Sequence, residues 1–119
     1  MTAPCVLVID DDPNIRQIYT TLLHDEGYRV ETAINGQDGL NQLSCAPDLI
    51  LLDLMMPVMD GWQFAQELRA RDEDIPLVLL SAARDLPTHA KALSAAEIIE
   101  KPFDLAELLP KIARVCSAA

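Results

Sequence analysis

The chain has 119 residues, of which 19 are acidic and 9 basic, giving a net charge of −10, and 50% are hydrophobic. That length suits one domain around one core, so residues 1–119 are expected to fold as a single unit. The acidic balance argues against direct binding to nucleic acid or to an anionic membrane, both of which call for Lys and Arg.

In chain order, Val6-Leu7-Val8-Ile9 is an apolar run that stops at Asp10-Asp11-Asp12. Asp12-Pro13 predicts a helix start, with Asp as N-cap and Pro in the first turn. Ile15, Ile18, Tyr19, Leu22 and Leu23 then recur at helical spacing, and Gly27 ends the helix. Arg29 to Ala33 alternates polar and apolar residues, the pattern of a half-exposed edge strand. Asn35-Gly36 opens a second helix carrying Leu40 and Leu43, and Pro47 precedes a buried run, Leu49 to Leu52, that stops at Asp53. Asp60-Gly61 makes a turn and cap before a third helix with Phe64, Ala65 and Leu68 on one face. Pro76 precedes the run Leu77 to Leu80, which stops at Ser81, and Asp85 to Leu93 is a short helical segment. Ile98-Ile99 is a short strand followed by Glu100 and Lys101-Pro102. The last helix is capped by Asp104 with Glu107 completing a capping box, and Leu105, Leu108, Leu109, Ile112 and Cys116 form its apolar stripe. Pro110 lies inside it; an interior Pro costs roughly 3 kcal/mol and predicts a bend or a late true start.

Five strands and five helices alternate, which implies an α/β fold with a doubly wound parallel sheet covered on both faces. Parallel strands bring their carboxyl ends to one edge, where open α/β sheets bind ligands. Asp10, Asp11, Asp53, Ser81 and Lys101 would gather there. Carboxylates ~4 Å apart repel by about 4 kcal/mol at an effective dielectric of 20. Such crowding is tolerated when a cation bridges them or a proton is taken up. Mg2+ suits the set, since it takes one or two carboxylates, a carbonyl and several waters. An Asp carboxylate can attack phosphorus to give an aspartyl phosphate, a reaction that depends on neutralising charge on the transferring oxygens. Lys101 could supply a mobile point charge, and Ser81 a hydrogen bond to a phosphoryl oxygen. Taken singly, each has a plainer reading: Asp12 is a cap, Asp10 and Asp11 belong to a turn, and a Lys or Ser at a strand end is solvated.

His24 and His89 are far apart in sequence with no Cys or His at ligand spacing, which speaks against zinc. Cys5, Cys45 and Cys116 are odd in number and widely spaced, so free thiols in a reducing compartment are expected. No stretch approaches the ~20 apolar residues of a membrane span, and Met1 to Asp10 lacks the features of a signal peptide. A cytoplasmic location is the expectation.

Four pieces in order carry a resemblance: Val8-Ile9-Asp10-Asp11-Asp12-Pro13, then Asp53-Leu54-Met55-Met56-Pro57-Val58-Met59-Asp60-Gly61, then Leu80-Ser81-Ala82, then Lys101-Pro102-Phe103. Across essentially its whole length the chain resembles the receiver domain of two-component response regulators. The resemblance implies a flavodoxin-like sheet of strand order 2-1-3-4-5 with five flanking helices. It implies that Asp53 accepts a phosphoryl group from a histidine kinase or phosphotransfer protein, so the chain catalyses only its own phosphorylation and dephosphorylation. Asp11, Asp53 and the Met55 backbone carbonyl would hold Mg2+ directly, with Mn2+ able to substitute, and Asp10 would act through a water. Ser81 would be the switch hydroxyl, Lys101 would pair with the phosphoryl group, and the Lys101–Pro102 bond would be cis. Pro57 to Gly61 would position the loop beyond Asp53. A downstream effector would read the state; which one is open.

Some positions depart from the family pattern. The interval from Ser81 to Lys101 is shorter than usual, and Ile98 stands where the family often places a switch aromatic. Met55 and Ala83 carry no polar group that could orient a hydrolytic water, which implies slow self-dephosphorylation. Two other readings stay open on the residues. One is an aspartate-nucleophile phosphohydrolase, for which Asp10-Asp11-Asp12 supplies an Asp-x-Asp but leaves Asp53 unexplained. The other is a binding module with a vestigial pocket.

Overall fold

A computed structural model of the chain describes residues 3–53, 61–71, 75–81, 91, 97–100 and 105–117. Five strands form one parallel sheet: β1 (Cys5–Ile9), β2 (Arg29–Ala33), β3 (Leu49–Asp53), β4 (Leu77–Ser81) and β5 (Glu97–Glu100), in the order β2-β1-β3-β4-β5. β1 and β3 are buried along their whole length, while β2 alternates exposed and half-buried residues before a buried Ala33. The expected edge strand and buried centre are therefore both present.

Successive strand residues face opposite sides, and each side has its own core. Leu7, Ile9, Ile50, Leu52, Leu77 and Leu79 pack with Leu40, Phe64, Ala65 and Leu68 from α2 (Gly36–Asn41) and α3 (Gly61–Ala70). Val6, Val8, Leu49, Leu51, Val78, Leu80 and Ile99 pack with Tyr19 and Leu23 of α1 (Pro13–Asp25) and with Leu108 and Ile112 of the C-terminal helix (Leu105–Ser117).

The helix ends follow local chemistry. The Asp12 carboxylate accepts from the backbone N–H of Asn14 at 2.9 Å and of Ile15 at 3.4 Å. Gly27 takes φ 92°, which an L side chain rarely adopts, and its N–H donates to the His24 carbonyl. Asn35 Oδ1 accepts from Asp38 N at 2.9 Å, and the Asp38 carboxylate accepts from Ile34 N at 3.0 Å. Within α2, Gly39 is where the helix closes on β1; a Cβ there would stand 2.6 Å from Ile9 Cδ1.

Three expectations are corrected. Ile18 was placed in the apolar stripe of α1 but is 47% exposed, because the core contacts fall to its neighbour Tyr19. Leu43 lies in a 3-10 turn, Gln42–Cys45, beyond the end of α2; that turn stops at Ala46, a non-glycine residue at φ 53°. Of the bend or late start expected at Pro110, the late start is overturned, because the C-terminal helix runs through Pro110 from Leu105. Burial of Leu108 and Ile112 offsets the lost hydrogen bond, and Lys111 ties the helix to β5 by donating to the Ile98 carbonyl at 2.8 Å. The expected helix over Asp85–Leu93 lies outside the described residues except for Lys91, as does Asp104.

Candidate functional site

Asp10 directly follows β1, and its N–H donates to the Ala33 carbonyl of β2 at 3.2 Å, which carries the parallel pairing one step past the strand. Its side chain is buried, and one carboxylate oxygen accepts from Asp12 N at 2.9 Å. Arg16, one turn into α1, reaches back and donates to the Asp10 carbonyl at 2.6 Å. Asp53 ends β3 and is 6% exposed, while Asp11 is open to solvent. One oxygen of each of these three carboxylates lies within 4.8 Å of the others. Among the described residues this is the one group of acids, histidines or cysteines close enough to hold a metal.

Three hard oxygen donors, two of them buried, fit a divalent cation such as Mg2+. At 4.8 Å, two like charges repel by about 3–4 kcal/mol at an effective dielectric of 20. The pocket is thus poised to accept positive charge.

The strand register brings further expected residues to the same edge. Asp53 is paired with Leu80, so Ser81 ends β4 one residue beyond, and Ser81 is paired with Glu100, the last residue of β5. Gly61 opens α3 and is buried. Ile98 is half-buried against the core on the α2–α3 side. Met55, Pro57, Lys101 and Pro102 lie outside the described residues.

Tyr19 belongs to the site's surroundings, and sequence reading did not single it out. Its side chain is 2% exposed. Burial first, then the charges of Asp10 and Asp53, push its phenol above the ordinary 10.0, so it stays a neutral group beside the acids. The signal was present in the sequence: a hydroxyl inside the apolar stripe of α1 needs a polar neighbour once buried.

Comparison with known proteins gives a consistent result. The model of the family described as the response regulator receiver domain matches residues 6–113. The transcriptional regulatory protein PrrA of Mycobacterium leprae is 38% identical over 115 residues, covering 94% of this chain and 49% of that protein. The chain therefore spans about half the length of the curated relatives it matches. The response regulator TrrA of Thermotoga maritima, solved in complex with Mg(2+)-BeF, superposes with a TM-score of 0.83 at 34% identity, over 94% of this chain and 98% of that one. The chemotaxis protein CheY4 of Vibrio cholerae gives 0.86 at 34% identity, over 95% and 98%.

Proposed function

Because this chain belongs to the response regulator receiver domain family, we propose that residues 1–119 act as one receiver domain in which Asp53 takes a phosphoryl group from a phosphohistidine on a histidine kinase or phosphotransfer protein. The observation that carries this reading is the cluster of Asp10, Asp11 and Asp53 within 4.8 Å at the carboxyl edge of the sheet. An Asp53 oxygen attacks phosphorus, the O–P bond forms and the P–N bond to the donor imidazole breaks.

Asp10, Asp11 and Asp53, with the Met55 carbonyl, would hold Mg2+, and Mn2+ could replace it on the same oxygen donors. Bound there, the cation would neutralise charge on the transferring oxygens. Lys101 would pair with the phosphoryl group, and Ser81 would hydrogen-bond to it. Ile98 would occupy the switch position in β5, and Pro57, Gly61 and Pro102 would shape the flanking loops. The added group biases a two-state equilibrium that a downstream effector reads. The chain has no turnover on a free substrate in this reading, and it works in the cytoplasm without touching DNA itself. Among the described residues no helix is long and apolar enough to cross a membrane.

Acetyl phosphate and Mg2+ provide the test, read by mass spectrometry of the intact chain and its peptides. An adduct on Asp53 that disappears in Asp53→Asn supports the proposal. Turnover of phosphate esters would show a hydrolase instead, and no reaction would leave a binding module.

A further inference from the structure

β1 is held at each end by a residue from another element. At the amino end Asp48 clasps Cys5: Cys5 N donates to Asp48 Oδ2, and Asp48 N donates to the Cys5 carbonyl, both at 2.8 Å. At the carboxyl end the holder is Arg16. In a parallel ladder, a residue whose N–H donates to Ala33 accepts at its own carbonyl from the residue two places further along the partner strand. For Asp10 that residue is Asn35, which leaves the sheet as the N-cap of α2. The Arg16 guanidinium takes that place and donates to the Asp10 carbonyl at 2.6 Å. A charged donor makes this bond stronger than the ladder bond it replaces.

That carbonyl belongs to the peptide joining Asp10 to Asp11, and the plane of the peptide sets the directions in which both carboxylates leave the chain. Asp10 is fixed at three points: its N–H on the Ala33 carbonyl, its own carbonyl on Arg16, and its carboxylate on Asp12 N. Arg16 is itself anchored. It is half-buried, its N–H donates to the Asp12 carbonyl at 3.0 Å, and its carbonyl accepts from Thr20 Oγ1 at 2.7 Å. We infer that Arg16 is a positioning residue for cation binding at the acid cluster, acting through the Asp10–Asp11 peptide rather than by touching the cation or the phosphoryl group. The inference rests on the proposed phosphoryl acceptance at Asp53 and deepens it, by naming what aims two of the three carboxylates before the cation arrives. Oxygens already directed at one point lose little freedom on binding, whereas a released Asp10–Asp11 peptide lets the like charges swing apart.

The test measures Mg2+ affinity by calorimetry on the full chain, and separately the rate of Asp53 labelling by acetyl phosphate as Mg2+ is varied. Arg16→Met keeps an aliphatic stem but removes the donor. It should weaken Mg2+ binding about 10-fold, the loss expected when a residue that orients a metal ligand is removed. Labelling should then need correspondingly more Mg2+ and still approach the parental rate at saturation. Arg16→Lys keeps a charged donor on a similar stem and should recover most of the affinity. Arg16→Gln, whose shorter side chain falls short of the carbonyl, repeats the comparison if the Met variant folds poorly. Thr20→Val disturbs the same turn of α1 without altering the guanidinium and should leave Mg2+ affinity unchanged. Parental affinity in Arg16→Met, a Lys variant as weak as the Met variant, or an equal loss in Thr20→Val would each overturn the inference. A parent chain that binds Mg2+ but forms no adduct on Asp53 would overturn the proposed function alone, and the affinities of the variants would still decide the role of Arg16.

Discussion

The two edges of the sheet both carry aspartates, and they use them in opposite ways. At the amino edge, the single Asp48 carboxylate accepts a backbone N–H and fixes where β1 lies beside β3. At the carboxyl edge, Asp10, Asp11 and Asp53 face one another within 4.8 Å, and their mutual repulsion is a cost that a bound cation would relieve. The same side chain is a brace where it meets a donor and a reactive group where it meets its own kind.

The largest effect should come from removing the brace. Asp48→Ala leaves the Cys5 N–H without its acceptor and should cost about 2 kcal/mol in chemical denaturation, while Mg2+-dependent labelling of Asp53 stays intact. A stability change below a few tenths of a kcal/mol would show that the clasp is held by the backbone alone. At the other edge the sign reverses. Asp11→Asn should raise the stability of the metal-free chain by about 1 kcal/mol, because it removes one member of the crowded set, discounted for its exposure to solvent. It should also shrink the rise in Tm that Mg2+ gives. The two changes lie a strand length apart, about 16 Å, so their effects on stability should add.

The smallest effect compares the edges by pH. Cys45 near the amino edge is pushed from 9.0 to about 11, and Tyr19 near the carboxyl edge is pushed above 10.0, each first by burial. The folded chain therefore holds both protons more tightly than the unfolded chain. Stability from these groups is complete below pH 9, drains between pH 9 and about 11 for Cys45, and drains above pH 10 for Tyr19. Thermal melts across this range should fall less steeply for Cys45→Ser in the first interval and for Tyr19→Phe in the second. Parallel curves for the variants and the parent chain would remove both groups from the account.

Much of this was legible residue by residue. Asp12, Gly27 and Asn35 announced their helix ends because capping is local chemistry, and the runs at Val6, Leu49 and Leu77 announced buried strands because no polar residue interrupts them. Asp53 could be picked out because it ends such a run. What stayed hidden depends on rotation or on distant pairing. Ile18 and Tyr19 are adjacent in one stripe, and a small turn of α1 decides which is buried. The 3-10 turn at Gln42–Cys45 ends on Ala46 without the glycine that usually marks a left-handed residue. The paired hydrogen bonds between Cys5 and Asp48 follow from β1 lying beside β3, which no local pattern records.

The alternation of the strands has a last consequence. Val6 and Val8 lead on to Asp10, and Leu49 and Leu51 lead on to Asp53, so both carboxylates continue the series that faces α1 and the C-terminal helix. Tyr19 feels their charge from that flank. A disturbance at Asp53 should then spread unevenly: amide exchange ought to slow or quicken along α1 and the C-terminal helix before α2 and α3 register it. The sheet would act as a one-way partition, with a receptive flank and a sheltered one.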